Sequence, residues 1–205
     1  MPRQPDLAKR RDLLDRIRAY VIRNGVSDLS LRPLGRAVGV SDRMLLYYFG
    51  SKERLITEVL ARDEQRPLVR IRRLLESTGP PEDAAGMRKL MEEVWRQFTA
   101  PGVRAAFPLY VDVLAGSLLH PDRYGPVTRD VITQWTELLA SALLGVGFPE
   151  ERAKDHATLL IDATIGLLLA PLADGQWDRA DRAYRALLDG LEPAWQSARN
   201  LPADT

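Results

Sequence analysis

The 205-residue sequence predicts an all-α protein of about nine helices. Two observations carry this prediction. Apolar residues recur every three or four positions through most of the chain, as on one face of a helix. No segment alternates apolar and polar residues in the way a half-buried strand does. Most of the apolar stripes also end at Gly or Pro, which interrupt helices.

The first three helices are predicted close together near the amino terminus. One covers residues 6–24, where leucine, isoleucine and valine fall at helical spacing before an Asn-Gly stop. A short helix follows over residues 30–38, with Ser30 as its N-cap because a hydroxyl can accept a free first-turn N–H. After a Gly-Val turn, Ser41 or Asp42 caps a second short helix of about eight residues.

The remaining helices are predicted by the same combination of an apolar stripe and a break. They cover residues 52–77 with a kink or division at Pro67, a stripe from Met87 to Phe98, and residues 103–119, 127–144, 149–173 and 178–195. Residues 120–126 are predicted as a break between two of them.

Composition excludes several classes of function. The chain has no cysteine, so disulfides, zinc–cysteine sites and thiol catalysis are absent. Its two histidines, His120 and His156, are far apart, which argues against a histidine metal site and a catalytic triad. The first residues form no secretory signal, and the longest apolar stretch, residues 157–173, contains Asp162 and is short for a membrane span. We expect a cytoplasmic protein that is not an enzyme and binds no metal, cofactor or membrane.

Charge is distributed unevenly along the chain. Residues 1–73 contain 17 Lys and Arg against 9 Asp and Glu, a net charge of +8. Residues 74–205 contain 12 and 19, a net charge of −7, so the whole chain carries +1. A basic amino-terminal region attracts polyanions such as nucleic acid, although clustering of solvated charge would give the same count.

Residues 30–52 carry the functional signal. Two short helices joined by a tight, glycine-containing turn are typical of a helix-turn-helix, whose second helix can enter the DNA major groove. In that helix Arg43, Leu46 and Tyr47 share one face. Lys52 stands at the start of the next helix, where phosphate is favoured. The residues expected to hold the two short helices together are Val38, Val40, Leu45 and Phe49.

This stretch resembles the DNA-binding domain of the TetR (tetracycline-repressor) family of transcriptional regulators. The resemblance rests on Val38-Gly39-Val40-Ser41, on Leu45-Leu46-Tyr47-Tyr48-Phe49 and on Lys52-Glu53-Arg54-Leu55, and it covers about a quarter of the chain. It implies a helix-turn-helix DNA-binding domain over residues 1–52 and an effector-binding and dimerisation domain over residues 53–205.

The resemblance also implies roles for individual residues. Base edges would be contacted by Arg32, Asp42, Arg43 and Leu46, and phosphates by Ser30, Ser41, Tyr47, Tyr48 and Lys52. Leu46 stands where the family usually has tyrosine, so it would touch a thymine methyl instead of donating a hydrogen bond. Gly35 replaces the usual alanine and is expected to loosen its helix. Two structural alternatives stay open: Asp42 as a helix cap, and Tyr48 as a core aromatic. The basic residues near the amino terminus, Arg10 among them, would attract phosphate without selectivity or remain a solvated tail.

The carboxy-terminal half is predicted to form a dimer and to hold a small molecule. Two copies of a helix-turn-helix about 34 Å apart fit successive major-groove faces, which favours a homodimer. The residues predicted at the dimer interface are Leu159, Ala163, Gly166, Leu167, Leu187, Leu188, Leu191 and Trp195. Those predicted to line an effector pocket are Trp95, Phe98, Phe107, Tyr110, Asp112, Trp135 and Asp162. Asp162 is included because a carboxylate among Leu and Ile needs a partner. An ordinary intrachain core would explain most of the same apolar residues.

These observations predict a homodimeric regulator that binds double-stranded DNA at a palindromic operator. A small-molecule effector would release it, which makes it a repressor. Two alternatives stay open: a DNA-binding regulator without ligand control, and an activator. An all-helical enzyme is disfavoured because paired histidines, a phosphate-binding loop and an HExxH motif are absent from the sequence.

Overall fold

The fold is all-α, as predicted. The computed structural model describes residues 7–26, 29–61 and 67–200, and none of these residues lies in a strand. They form the α-helices α1 (Leu7–Asn24), α2 (Leu31–Ala37), α3 (Asp42–Phe49), α4 (Lys52–Ala61), α5 (Pro67–Thr78), α6 (Ala84–Thr99), α7 (Pro101–Leu119), α8 (Pro121–Val146), α9 (Glu150–Asp174) and α10 (Trp177–Ser197), followed by a short 3₁₀ turn over Ala198–Asn200.

Two helix boundaries involve proline: a helix begins at Pro67, in keeping with the predicted kink or division there, whereas the start of α8 differs from the prediction. Pro67 is the first residue of α5, a position where its missing N–H costs no helical hydrogen bond; residues 62–66 lie outside the described part of the chain. The predicted break at 120–126 is wrong, because α8 already begins at Pro121. Pro121 is tolerated as the first helical residue, and Pro126 comes early enough to remove a single bond near the helix start.

The described residues divide into two compact units. The first, here called the head unit, takes its members from residues 1–64 and 105–129; the second, the body unit, takes them from residues 65–104 and 130–205. The head unit thus holds α1 to α4 together with most of α7 and the start of α8. The predicted division into two functional domains at residue 52 stays a prediction. The head and body units are defined by which residues pack together and not by what those residues do.

The head unit encloses a core of its own. Leu34, Leu45 and Leu55, from α2, α3 and α4, have no exposed surface. Leu109 and Val113 of α7 pack into the same cluster as these residues. The short helices are therefore held by a helix from the middle of the chain as well as by one another.

The body unit is built around α6, α9 and α10. Helix α10 packs against both of the others. Met91 of α6, Leu160 of α9 and Leu188 of α10 are fully buried.

Two helices, α7 and α9, are long and apolar enough to cross a membrane by length and composition. Core helices of soluble proteins share this property.

Candidate nucleic-acid interface

The turn between α2 and α3 is tight because Gly35 lets the chain close on itself. The Val40 N–H donates to the Gly35 carbonyl at 2.8 Å. A Cβ on residue 35 would lie 2.7 Å from the Val40 carbonyl oxygen. The loosening of α2 expected from Gly35 stays a prediction, and the structure adds a second role: the absence of a side chain allows the two helices to approach.

Helix α3 is capped by the residues that the sequence indicated. The Ser41 hydroxyl accepts from the Met44 N–H at 3.2 Å. Asp42 is the first helical residue, and its carboxylate accepts from the Arg43 N–H at 2.9 Å. This bond supports the capping alternative for Asp42. Ser30 occupies the N-cap of α2 without a side-chain bond to that helix, and its side chain is exposed.

The two faces of α3 are sharply divided. Leu45 and Phe49 are buried in the head core, as predicted. Arg43 is exposed, as are 44% of Leu46 and 51% of Tyr47. The helical spacing of these three residues relative to Leu45 and Phe49 predicted that they lie on the outer face of α3. The same spacing also places Met44 at the surface with 38% exposure, and the sequence analysis missed it.

Three other residues predicted to contact DNA are exposed or half-buried. Arg32 is exposed in the first turn of α2, and Lys52 is half-buried at the start of α4. Tyr48 is half-buried, with its ring centroid 5.3 Å from that of Tyr47 in an edge-on contact. Tyr48 is thus partly a core aromatic, which supports its structural alternative. The predicted DNA contacts of all these residues stay predictions.

Arg10 was predicted to attract phosphate or to belong to a solvated tail, but in the structure it contacts other residues of the protein. Its guanidinium forms an ion pair with Glu58 of α4. It also donates from Nε to the Tyr48 carbonyl at 3.4 Å and lies 5.2 Å from the centre of the Phe49 ring. Arg10 therefore joins α1 to α3 and α4 and is engaged within the protein, rather than part of a free basic tail.

Arg16 supports the turn from the other side. Its Nη1 donates to the Val38 carbonyl at 2.7 Å, which satisfies a carbonyl at the carboxyl end of α2. Asp12, one helical turn earlier in α1, pairs with the same guanidinium at 2.7 Å. The sequence analysis did not identify this arginine.

Asp112 was predicted to line an effector pocket, and the structure assigns it another role. Its Oδ2 accepts from the Val26 N–H at 3.0 Å, so α7 holds the segment that follows α1. A Cβ on residue 25 would lie 2.7 Å from the same oxygen, and Gly25 has φ +72°, so glycine is required there. The carboxylate is a structural acceptor within the head unit.

The other predicted pocket residues are divided between the two units. Phe107 and Tyr110 are in the head unit with their ring centroids 6.4 Å apart. Phe98 and Trp135 are buried in the body unit, 5.3 Å apart. Asp162 is exposed on α9, so the premise that this carboxylate is buried and needs a partner is wrong. Neither unit alone contains the predicted lining.

Trp95 is held in the core of the body unit by α10. Its ring stacks on Tyr184 with centroids 4.3 Å apart, and its Nε1 donates to Asp181 at 2.6 Å. Burial raises the pKa of Tyr184, so its hydroxyl stays protonated and donates to the Met91 carbonyl at 2.9 Å. Each polar atom named here has its partner inside the protein, which fits a structural role for Trp95.

The predicted dimer residues fall into two groups. Leu188 and Trp195 have 0% and 1% exposure, so they belong to the protomer's own core and their prediction as interface residues is wrong. The others remain wholly or partly exposed in the single chain: Leu159, Ala163, Gly166 and Leu167 on α9, and Leu187 and Leu191 on α10.

Among the described residues, no group of three or more His, Asp or Glu is placed to hold a metal ion.

Comparison with known proteins identifies the helix-turn-helix. Residues 13–59 match the family model of bacterial regulatory proteins, tetR family. This segment contains α2, α3 and most of α1 and α4. No curated protein matches the chain.

Three solved structures share the fold along nearly the whole chain. A protein from Saccharomonospora viridis in complex with choline is 20% identical with a TM-score of 0.72, covering 91% of this chain and 97% of that one. A TetR transcriptional regulator from Legionella pneumophila is 15% identical, with a TM-score of 0.67 and coverage of 93% and 98%. The multidrug binding protein EbrR, complexed with imidazole, is 20% identical, with a TM-score of 0.64 and coverage of 93% of each chain. Residues 13–59 thus match the tetR family of bacterial regulatory proteins, and the fold along nearly the whole chain is shared with these three solved structures.

Proposed function

We propose that this protein is a transcriptional regulator of the tetR family, a homodimer that binds a palindromic operator through α3 and acts as a repressor released by a small molecule. The observation that carries the proposal is the exposed face of α3. Arg43, Leu46 and Tyr47 point outward from a helix whose opposite face is sealed in the core. The positive charge of residues 1–73 favours approach to DNA.

Each exposed side chain has a role that its chemistry allows. Arg43 would donate two hydrogen bonds to guanine O6 and N7, and Arg32 can do the same from the first turn of α2. Asp42 would accept from cytosine N4 where its capping bond permits. Leu46 would touch a thymine methyl. Phosphates would be held by Ser30, Ser41, Tyr47, Tyr48 and Lys52.

Dimerisation through α9 and α10 is supported by two matching exposed faces. In α9, Leu159, Ala163 and Gly166 lie on one side of the helix and are not buried by the protomer. Helix α10 also places a large residue one helical turn from a small one, Leu187 and Gly190, and neither is buried by the protomer. Small residues let helices approach closely, so two copies of this pair can form a four-helix interface.

Effector binding in the body unit is supported by one polar group. Gln97 of α6 is only 5% exposed, and its Nε2 donates to Glu93, which fixes the orientation of the amide. Its Oε1 has no partner within the described residues. A buried acceptor without a donor costs about 1–3 kcal/mol, so a bound molecule that supplies one is favoured. The choline and imidazole complexes of similar folds are in keeping with a small-molecule effector.

Selection from a random duplex library tests the DNA-binding function. We expect enrichment of an inverted repeat, with half-sites about one helical turn apart or a multiple of that, and affinity that falls steeply with salt. Retention of all duplexes equally, or of none, would refute the proposal. Sedimentation of the free protein as a monomer at the concentration that saturates the selected duplex would refute the dimer.

A separate pair of measurements tests regulation. A thermal-shift screen of small cations and aromatics should find a compound that raises the melting temperature, because a ligand stabilises the state that it binds. The same compound should release the selected duplex, and a reporter gene behind that duplex should be silent without it. Release without any effect on the reporter would refute repression, and a duplex complex unaffected by every stabilising compound would favour a regulator without ligand control.

A further inference from the structure

Two large apolar side chains stay at the surface of α3 although the head core is complete without them. Met44 is 38% exposed and Leu46 is 44% exposed. Leu45, between them in sequence, is fully buried, so the core side of the helix is already occupied. Exposed apolar surface concentrated on an eight-residue helix points to a partner with an apolar contact of its own.

Their positions around the helix are informative. At 100° per residue, Arg43 and Tyr47 form the centre of the exposed face, with Leu46 on one flank and Met44 on the other. Arg43 and Tyr47 lie opposite Leu45, which faces the core, and Met44 and Leu46 lie to either side between them and Leu45. The two side chains that can donate hydrogen bonds, Arg43 and Tyr47, are therefore flanked on each side by a side chain that cannot.

The DNA major groove offers a single apolar group at this depth, the C5-methyl of thymine. A duplex is also the partner that fits the net charge of +8 on residues 1–73. We propose that Met44 and Leu46 each contact a thymine methyl, at the base pairs that flank the one contacted by Arg43. This inference rests on the proposed DNA-binding function and specifies the bases that α3 reads beside its hydrogen-bonded contact.

The test replaces single thymines by deoxyuridine in the selected duplex, which removes one methyl group and leaves every hydrogen-bonding group in place. Each of the two flanking positions should lose affinity about fourfold, the effect of one buried carbon. Deoxyuridine at thymines outside the half-site core is the matched control and should leave affinity unchanged.

Variants assign each methyl to its side chain. In Met44→Ala one of the two deoxyuridine effects should disappear, and in Leu46→Ala the other, because the partner of that methyl is already gone. Both residues are exposed, so circular dichroism and melting temperature should match the parent. Met44→Gln and Leu46→Gln repeat the test with longer side chains if an alanine variant is poorly folded.

The outcomes separate this inference from the function on which it rests. Selective binding with no thymine beside the guanine contacted by Arg43 would overturn the inference and leave the DNA-binding function standing. The same would follow if deoxyuridine had no effect, or had equal effects on the parent and on both variants. Failure to select any duplex would overturn both.

Discussion

The head and body units treat their large aromatic and apolar residues in opposite ways. In the head unit, Tyr47 and Leu46 remain outside on a short helix whose core is already filled. In the body unit, Trp95 lies inside, stacked on Tyr184 and hydrogen-bonded to Asp181. Both units contain large aromatic or apolar residues, so residue type does not distinguish the exposed ones from the buried ones. The exposed fraction of the side chain does. An exposed side chain on α3 can be contacted by a partner, whereas a buried one stabilises its own unit.

The largest effect should come from removing the buried ring of Trp95 in the body unit. Trp95→Ala removes a buried ring and is expected to cost about 3–5 kcal/mol in the free energy of unfolding, measured with urea. Trp95→Phe is the matched control: it keeps a ring against Tyr184 but loses the bond to Asp181, and should cost less. A loss below about 1 kcal/mol for the alanine variant would show that Trp95 is not a core residue.

The second-largest effect should be on DNA binding by the head unit. Arg43→Ala should leave the free energy of unfolding unchanged, because the side chain is exposed, and should weaken binding of the selected duplex by about 1–3 kcal/mol. Lys52→Ala should weaken selected and random duplexes alike and reduce the salt slope by about one. Titrations of both duplexes at several salt concentrations measure this. Equal behaviour of the two variants would contradict the separation of base and phosphate contacts.

A smaller effect concerns the support of the head unit by α7. Asp112→Ala leaves the Val26 N–H without its acceptor and should lower the free energy of unfolding by about 1–2 kcal/mol. Asp112→Asn keeps an acceptor oxygen and should recover most of that loss. If the two variants were equally stable, the hydrogen bond would contribute nothing. An effector-pocket role would instead appear as a lost thermal response to the compound found by screening, with stability unchanged.

The smallest effect is a pH dependence in the body unit. Burial lowers the pKa of His156 below its ordinary value of 6.5, with Arg152 acting in the same direction and Asp155 against it. The unfolded chain therefore binds the proton more tightly than the folded one. This contribution to stability is complete above about pH 6.5 and is lost as the pH falls from there through the lower folded pKa. The difference in stability between the parent and His156→Gln should shrink over that range; a constant difference would contradict the shift.

The sequence was sufficient where structure follows from neighbours along the chain. The caps at Ser41 and Asp42, and the inward side of α3 at Leu45 and Phe49, depend on residues within one or two helical turns. The exposure of Met44 also follows from its helical spacing to Leu45, although the sequence analysis did not draw that conclusion. The close approach at Gly35 was not predicted, because the atom that a side chain would strike, the Val40 carbonyl oxygen, belongs to the next segment.

Contacts between distant segments could not be derived in the same way. Arg10, Arg16 and Asp112 each bind a backbone group, and these groups lie 38, 22 and 86 residues away along the chain. A backbone carbonyl or N–H has no residue-specific signal, so no pattern marks such a pair. Leu188 and Trp195 show the related difficulty in the body unit. An apolar stripe predicts burial, yet it does not tell a protomer's own core from an interface with a second copy.

The central claim is that α3 lies in the major groove, and a cleavage experiment tests it most directly. The chain has no cysteine, so Tyr47→Cys carries a unique attachment point for an iron chelate that cuts DNA, while the parent takes no label and serves as control. On the selected duplex we expect cuts confined to a few base pairs inside each half-site, in two clusters about one helical turn apart or a multiple of it. Cuts spread evenly along the duplex, or none while the labelled protein stays bound, would contradict the account.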